Sequence, residues 1–353
     1  MNNYNVIGLM SGTSLDGIDL VYVSFKHNEN WNYELINFKT YTYSSYWLQT
    51  LGKLSNIQLK DIQKIDQNYT KLLAKIIKEF IREFSISKID FVSSHGHTAI
   101  HDPLNSSTYQ IGNLPILSDY LNLKVICDYR IQDVKYGGQG APLVPVGEKY
   151  LFPEYNSLIN LGGFANITKR RSNKLTAYDI CPVNVVLNKL SNKVNLKYDD
   201  QGQLASSGNL NIKIFNYLES IKFYNLKPPK SLSIEWVENN IFSFIFNDSS
   251  IPLKDILHTF SYHIAKQISK NIKGEEEILI TGGGAYNEFL IKQIQSLTTT
   301  KIVIPESKII EFKEALIFSF LGVLKDLNIN NCYSSVTGAS KDHSSGKIFI
   351  NNI

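Results

Sequence analysis

The sequence predicts an α/β protein built from two related domains, and two observations support this. An apolar strand-like run, a glycine-rich turn and a second strand-like run occur at the start of the chain and again about 150 residues later. Segments with helical periodicity lie between such runs. A chain of 353 residues has room for two or three domains. The repeated cycle favours two domains, at 1–150 and 151–353. The last residues are free to pack back on the first domain, and a ligand cleft is expected between the two domains.

The composition excludes several classes of protein. Hydrophobic residues make up 43% and charged residues 19%, which is typical of packed cores rather than a disordered chain. A net charge of +4 is too small to predict nucleic-acid binding. The three widely spaced cysteines (Cys127, Cys181 and Cys332) predict no disulfide framework, and neither a signal peptide nor a membrane-length apolar run is evident. We therefore expect a cytoplasmic protein without membrane or nucleic-acid partners.

Apolar and β-branched runs place the strands of the first cycle. Three consecutive strands are expected to form an antiparallel meander, at 4–9, 18–25 and 33–43. A buried face with spacings of three and four predicts a helix at 61–84, with Asp61 as its N-cap. Two further strands are expected at 89–93, ending in S-S-H-G-H-T, and at 123–127, ending in D-Y-R. Polar residues at the ends of apolar strands are typical of ligand sites in α/β proteins.

The second cycle begins near residue 155. Its strands are predicted at 157–161 and 277–280, and the helices that follow at 255–272, 287–297 and 312–327. The domain boundary is expected within 142–155.

Three glycine-rich turns carry the first functional hypothesis, because glycines let backbone N–H groups approach phosphate oxygens closely. None is a P-loop or a G-x-G-x-x-G turn, and one such turn alone could be an ordinary hairpin. Three in one chain favour a nucleotide cleft. The residues assigned to the nucleotide are Gly12, Thr13, Ser14, Leu15, Asp16, Gly17, Ile18, Asp19, Gly162, Gly163, Gly282, Gly283 and Gly284.

Motifs spread along nearly the whole chain resemble those of the anhydro-N-acetylmuramic acid kinase family. They are G-L-M-S-G-T-S-L-D-G-I-D (8–19), S-H-G-H-T (94–98), Q-I-G-N (110–113), D-V-K-Y-G-G-Q-G-A-P-L-V-P (133–145), N-L-G-G-F-A-N-I-T (160–168), P-P-K-S (228–231), T-G-G-G-A-Y-N (281–287) and S-V-T-G-A (335–339). The resemblance implies two ribonuclease-H-like domains flanking a nucleotide cleft, as in actin, hexokinase and Hsp70. It also implies a homodimer and the ATP-dependent opening of 1,6-anhydro-N-acetylmuramic acid by water, in peptidoglycan recycling and amino-sugar catabolism.

The resemblance also assigns roles to single residues. The opening of the anhydro bridge by water needs a general base, and the family's D-T-G-P-G-N motif corresponds here to D-I-C-P-V-N, so the base would be Asp179. Glu314 would be a second carboxylate near the sugar. Arg130 would pair with the lactyl carboxylate, and His95, Gly96 and Asn184 would contact the substrate. Asp16 would hold Mg²⁺ directly or through water, and the turn at 282–284 would receive the adenosine of ATP.

Departures from the family pattern leave alternatives open. Ile180, Cys181 and Val183 stand where the family has threonine and two glycines, which would narrow the site if those glycines lie against a ligand. His97 replaces a usual glutamine. A kinase of the same fold acting on an ordinary amino-sugar hydroxyl is one alternative, and a non-enzymatic ATP switch is another.

Single residues also have simpler interpretations. Asp179 alone could be a turn residue or a helix cap. Three histidines in the pattern H-x-H-x-x-x-H (95–101) could suggest a metal, but zinc would need further partners at suitable spacing. Cys181 has no identified base that would make it a nucleophile.

Overall fold

The computed structural model describes residues 2–54, 57–172, 174–246 and 250–351. Contacts divide the chain into two units, the first formed by Met1–Pro153 with Phe312–Ile353 and the second by Glu154–Glu311. The segment from Phe312 onward, predicted within the range 151–353, thus belongs to the first unit. The division falls inside one long helix.

The strands in the described residues follow the β-branched and aromatic runs of the sequence. They are β1 (Asn2–Ser11), β2 (Ile18–His27), β3 (Trp31–Tyr41), β4 (Phe91–Asp102), β5 (Ser107–Ile111), β6 (Val125–Cys127), β7 (Ser157–Leu161), β8 (Phe164–Arg171), β9 (Lys174–Pro182), β10 (Glu277–Thr281), β11 (Lys301–Val303) and β12 (Lys347–Phe349).

The helices carry the segments with helical periodicity. They are α1 (Ser45–Leu51), α2 (Leu59–Glu83), α3 (Ile116–Leu121), α4 (Ile131–Lys135), α5 (Val144–Leu151), α6 (Asn184–Ser191), α7 (Gln203–Ser206), α8 (Ile212–Ser220), α9 (Ile234–Val237), α10 (Ser243–Ile245), α11 (Leu253–Asn271), α12 (Glu288–Ser296), α13 (Ser307–Asp326) and α14 (Ser334–Thr337). Among the described residues, no helix combines the length and the apolar character needed to cross a bilayer.

The two units repeat one sheet topology. The first sheet has the order β12-β6-β4-β1-β2-β3, with β5 paired to β4, and the second has the order β11-β10-β7-β8-β9. In each, three consecutive strands form an antiparallel meander, and the first of them also pairs in parallel with a later strand. This is the arrangement of a ribonuclease-H-like domain, so the prediction of two related α/β domains of that type is confirmed.

Most predicted elements are present, with ends shifted by a few residues. Asp61 as a helix N-cap is wrong, because α2 already begins at Leu59 after Gln58. The backbone N–H of Asp61 donates to the carbonyl of Gln58, at 2.9 Å. Its carboxylate lies instead in the first turn, where it interacts favourably with the helix dipole.

The strand expected to end at Ser93 continues to Asp102 as β4. The polar segment S-S-H-G-H-T is therefore part of a strand and not a loop after one. It is held there because β5 pairs with it in antiparallel register, with His97 opposite Ile111. This pairing partner could not be inferred from local polarity.

Close packing of α13 on β1 organises the core of the first unit. A Cβ atom added at Gly8 of β1 would lie 2.5 Å from the carbonyl oxygen of Ala315 and 2.6 Å from Cβ of Ser319. Only a residue without a side chain allows this approach of strand and helix.

We therefore expect Gly8→Ala to destabilise the protein by about 1–3 kcal/mol, the usual cost of overpacking a core. Urea denaturation monitored by circular dichroism would measure the change in the free energy of unfolding. Gly163→Ala is the matched control, because an added Cβ there meets no atom within 4 Å. Equal stability of the two variants would contradict the packing argument.

Candidate functional site

The first glycine-rich turn connects β1 and β2. The last paired residues are Ser11 and Ile18, so residues 12–17 form the hairpin loop. Thr13, Ser14 and Asp16 are exposed. Ile18, assigned to the nucleotide with the rest of the turn, is fully buried in the core, and Asp19 accepts a hydrogen bond from Thr40 Oγ1 at 2.6 Å. The groups free to meet a ligand are therefore those of the loop itself.

A buried hydrogen-bond network lies at the base of this turn. Ser11 Oγ lies 2.6 Å from the hydroxyl of Tyr43, 2.9 Å from that of Tyr69 and 2.9 Å from Nδ1 of His97. The two tyrosine hydroxyls are themselves 2.7 Å apart. Burial lowers the pKa of His97 to about 4, so its imidazole is neutral near pH 7. The network fixes the end of β1 from which the turn departs, and sequence analysis missed it because its bonded members are 26 to 86 residues apart.

His95 and Arg130 form one unit in the structure. Nε of Arg130 donates to Nε2 of His95 at 2.9 Å, and Nη1 donates to the carbonyl of Gly140 at 2.7 Å. Nδ1 of His95 lies 2.9 Å from the carbonyl of Gly96, so it carries the proton. Burial, with a smaller contribution from the Arg130 charge, holds the pKa of His95 well below its usual value. Nε2 of His95 thus orients Arg130, while Nδ1 is held by the carbonyl of Gly96, which is itself buried.

The guanidinium of Arg130 keeps donor capacity for a ligand. Its Nη2 group makes no hydrogen bond to the residues that the structure describes. Its cationic carbon lies 5.8 Å from the ring centre of Phe318, and that ring also contacts His95. A partly buried, oriented guanidinium is suited to bind a carboxylate.

Glu314 lies in α13 on the same unit as Arg130. Its side chain is exposed, yet desolvation by the surrounding protein raises its pKa, against the lowering effect of the Lys313 and Arg130 charges. The Glu314 carboxyl is thus accessible to a ligand and partly desolvated at the same time. This environment suits a carboxyl that meets a polar ligand.

Behind Glu314 lies a buried ion pair that sequence analysis missed. Lys313 Nζ is 2.7 Å from Oε1 of Glu148, and the two side chains are 4% and 3% exposed. Oε2 of Glu148 has no hydrogen-bond partner among the described residues. Removing either member would leave the other charge buried and unpaired. The pair therefore holds α5 and α13 together next to Glu314.

In the second unit, the turn at Gly162 and Gly163 is bonded to the start of α6. The carbonyl of Gly163 accepts from the backbone N–H of Val183 at 2.8 Å, and that of Gly162 accepts from Asn184 at 3.3 Å. The side chain of Asn184 donates to the carbonyl of Leu161 at 3.2 Å. Asn184, which the sequence analysis assigned to the substrate, thus holds the glycine turn through its backbone N–H and its side-chain amide.

The third turn borders a cavity. Gly282 has a φ of +83°, and a Cβ there would lie 2.6 Å from Oδ1 of Asn160, so glycine is required. A cavity of about 640 Å³ lies beside the turn, a size within the range of small-molecule sites. It is lined by Asn184, Leu187, Asn188, Tyr198, Asp199, Asp200, Gln201, Gly283, Gly284, Ala285, Tyr286, Asn287 and Glu288. Sequence analysis found the glycines of this cavity but missed the residues at 198–201, which carry no recognisable motif.

Asp179 is positioned by the segment that follows P-P-K-S. Its Oδ2 accepts from the backbone N–H of Leu232 at 2.8 Å, and its own N–H donates to the carbonyl of Lys230 at 3.1 Å. Oδ1 makes no hydrogen bond to the described residues. Burial raises the pKa of Asp179, and the Leu232 N–H and the Lys230 charge oppose that shift. Oδ2 is therefore fixed by a hydrogen bond, whereas Oδ1 makes none within the described residues and can accept a proton.

The side chains that depart from the family motif point into the core. Ile180, Cys181 and Val183 are each at most 1% exposed and belong to the apolar cluster of the second unit. These three side chains therefore fill the core of the second unit, and whether the missing glycines would narrow a site stays a prediction. Burial also raises the pKa of the Cys181 thiol far above its usual value, so it is not a nucleophile.

The three histidines at 95–101 do not gather as metal ligands. In the described part of the chain, the group of side chains with ligand atoms close enough for a metal consists of Asp133, Cys332 and His343. His95 and His97 are engaged with Arg130 and Ser11, as described above, and His101 is exposed.

Comparisons with known proteins agree on one family. The family model for anhydro-N-acetylmuramic acid kinase matches residues 4–351. The anhydro-N-acetylmuramic acid kinase of Clostridioides difficile (strain 630) is 32% identical over 384 residues, covering 98% of this chain and 97% of that protein. The protein of the same name from Sulfurimonas denitrificans is 31% identical over 366 residues, covering 97% and 98%.

A solved structure of the activator of the 2-hydroxyisocaproyl-CoA dehydratase from Clostridium difficile with bound ADPNP aligns with a TM-score of 0.47 and 14% identity, covering 92% of this chain and 97% of that one. The family model and the full-length relatives are the stronger finding. By them, the chain belongs to the anhydro-N-acetylmuramic acid kinase family.

Proposed function

We propose that this member of the family uses ATP and water to convert 1,6-anhydro-N-acetylmuramic acid to N-acetylmuramic acid 6-phosphate and ADP. The family name gives the activity class, a phosphotransferase acting on an amino sugar. The observation that carries the detailed reaction is the geometry of Asp179, in which one carboxylate oxygen is bonded to Leu232 and the other makes no hydrogen bond to the described residues. Peptidoglycan recycling and a homodimeric state remain predictions from the resemblance, and a cytoplasmic location remains a prediction from the composition.

The chemistry needs a base because O6 of this sugar is already part of the anhydro bridge. A water attacks C1 and gives a proton to Oδ1 of Asp179, the bond from C1 to O6 breaks, and O6 takes the γ-phosphoryl group of ATP. A carboxylate with a raised pKa accepts a proton more readily than an ordinary aspartate. Glu314 is the second carboxyl that we assign to the sugar.

Phosphoryl transfer otherwise depends on positioning and on neutralising charge. We assign the phosphates to the backbone N–H groups of the turns at 12–17 and 162–163, and the adenosine to the cavity beside 282–284. Mg²⁺ prefers oxygen ligands, and the exposed carboxylate of Asp16 has no hydrogen bond to the described residues, so it fits such an ion. When bound, the ion would neutralise charge on the phosphates.

Arg130 would bind the lactyl carboxylate of the sugar. The Nη2 group of its guanidinium makes no hydrogen bond within the described residues. His95 is a positioning residue, because it holds the guanidinium by accepting a hydrogen bond from Nε. This assigns His95 and Gly96 to the support of the substrate site.

The reaction is tested with the purified protein, Mg-ATP and 1,6-anhydro-N-acetylmuramic acid in water enriched in ¹⁸O. We expect a sugar phosphate that carries the heavy oxygen at C1, detected by mass spectrometry after fragmentation. A product phosphorylated without ¹⁸O at C1, or an anhydro bridge left intact, would mean that an ordinary hydroxyl is phosphorylated instead.

Asp179→Asn should lower turnover by about 10²–10⁴-fold, the range for a positioned general base, because the amide cannot accept the proton. ATP binding, measured by calorimetry, should change little, since the assigned nucleotide contacts lie elsewhere. Asp119→Asn, at an exposed position, is the control. Turnover close to that of the unmodified protein would reject Asp179 as the base.

The dependence of kcat/KM on pH should fall on the acid side when Asp179 becomes protonated. Because burial raises its pKa, we expect this limb above the ordinary value of about 3.9. Lys230→Met removes a charge that lowers the pKa of Asp179, so the limb should move to higher pH. The exposed Lys227→Met is the matched control. If the acid limb does not move in the Lys230→Met variant, the limb does not report the protonation of Asp179.

Arg130→Gln should reduce kcat/KM for the lactyl-bearing sugar by about 10–100-fold, the loss expected when a hydrogen-bonded charge is removed. The analogue 1,6-anhydro-N-acetylglucosamine has no lactyl group, so its slower reaction should be much less affected. Arg82→Gln, on the exposed side of α2, is the control. An equal loss with both sugars would contradict the assigned pairing.

A further inference from the structure

A buried cluster outside the proposed reaction contains three side chains that can bind metals. Cys332 and His343 face each other in an isolated antiparallel bridge, with both backbone N–H···O distances at 3.1 Å. Asp133 in α4 lies next to them. The three residues are 1%, 5% and 0% exposed, and their ligand atoms all lie within 4.8 Å of one another.

His343 has a buried nitrogen without a partner. Its Nδ1 lies 3.0 Å from the carbonyl of Lys341, so that nitrogen carries the proton and Nε2 presents a lone pair. Nε2 makes no hydrogen bond within the described residues, and the side chain is only 4% exposed. It points at Oδ1 of Asp133, at 3.6 Å. Two acceptors facing each other in the buried interior leave a gap that a cation would fill.

We propose that Cys332 Sγ, His343 Nε2 and Asp133 Oδ1 bind a divalent transition-metal ion of the zinc type. Sulfur, imidazole nitrogen and carboxylate oxygen are the donors that zinc uses. With metal bonds of about 2.0–2.1 Å to nitrogen and oxygen, tetrahedral geometry separates those ligands by about 3.4 Å, close to the observed 3.6 Å. A water would take the fourth position.

The charges balance when the ion binds. The Cys332 thiol loses its proton to solvent as the bond from sulfur to the metal forms, so thiolate and carboxylate together neutralise the divalent cation. Binding should therefore release one proton for each ion bound.

The surrounding hydrogen bonds orient the ligands as in known metal sites. Thr337 Oγ1 donates to Oδ1 of Asp133 at 2.7 Å, and the backbone N–H of Gly140 donates to Oδ2 at 2.7 Å. Gly140 also accepts the hydrogen bond from Arg130 described above. The ion would thus fasten α4, the loop at Gly140 and the C-terminal segment behind Arg130, in a structural role.

The test measures metal binding and needs no activity. The full-length protein is reduced, treated with a chelator, loaded with Zn²⁺ or Co²⁺ and passed through a desalting column. We expect about one retained equivalent of metal by mass spectrometry of the metal, and a near-ultraviolet thiolate-to-cobalt band with Co²⁺. Cys332→Ala should abolish the band, and both Cys332→Ala and His343→Gln should weaken Zn²⁺ binding by at least about 10–100-fold.

The controls separate this site from other thiols and histidines. Cys127→Ala removes another buried thiol, and His101→Gln removes a more exposed imidazole, and neither should change binding. Asp133 also holds Gly140 and Thr337, so the two variants above, checked for folding by circular dichroism, decide the outcome. Absence of retained metal in the unmodified protein, or equal retention in the Cys332→Ala/His343→Gln double variant, would mean that Asp133 and His343 form only an ion pair.

Discussion

Backbone pairing of the first strand in each sheet is the constraint on which the rest of the structure depends. β1 pairs with antiparallel β2 on one side and parallel β4 on the other, and β7 pairs with β8 and β10 in the same way. This double pairing places a hairpin turn at the end of each first strand, and a second polar segment beside it on the parallel neighbour. The glycine-rich turns therefore occupy equivalent positions in the two units, as expected of duplicated domains.

In the first unit the consequence is visible at Ser11. Parallel register sets Ser11 opposite His97, and the hydroxyl and the imidazole meet within hydrogen-bond distance. Two residues earlier on β4, His95 turns its ring to Arg130. One strand thus supports both the first glycine-rich turn and the guanidinium of Arg130. Both imidazoles have lowered pKa values because they are buried, so they act as neutral hydrogen-bonding groups and add no charge to an anion site.

The elements of the fold could largely be predicted from the sequence, because strand and helix periodicities are local. Contacts between distant segments could not. The extension of β4 through its polar residues depends on β5, and the ion pair of Lys313 with Glu148 joins residues 165 apart. Motif resemblance identified Asp179 and Arg130 as candidates, but the partners that orient them, Leu232 and His95, follow only from the folded chain. That the side chains of Ile180 and Val183 lie in the core likewise follows only from the folded chain.

Desolvation raises the pKa of both Asp179 and Glu314, but different neighbouring groups oppose that rise. At Asp179, a backbone N–H and a nearby lysine favour the ionised form, and one oxygen makes no hydrogen bond within the described part of the chain. At Glu314, the charges of Lys313 and Arg130 favour ionisation while the buried Glu148 disfavours it. A lactyl carboxylate bound to Arg130 would partly cancel one of those cations, so sugar binding should raise the pKa of Glu314. The surroundings of the two carboxyls thus favour different roles, a base at Asp179 and a group at Glu314 that can hold a proton and donate a hydrogen bond to the sugar.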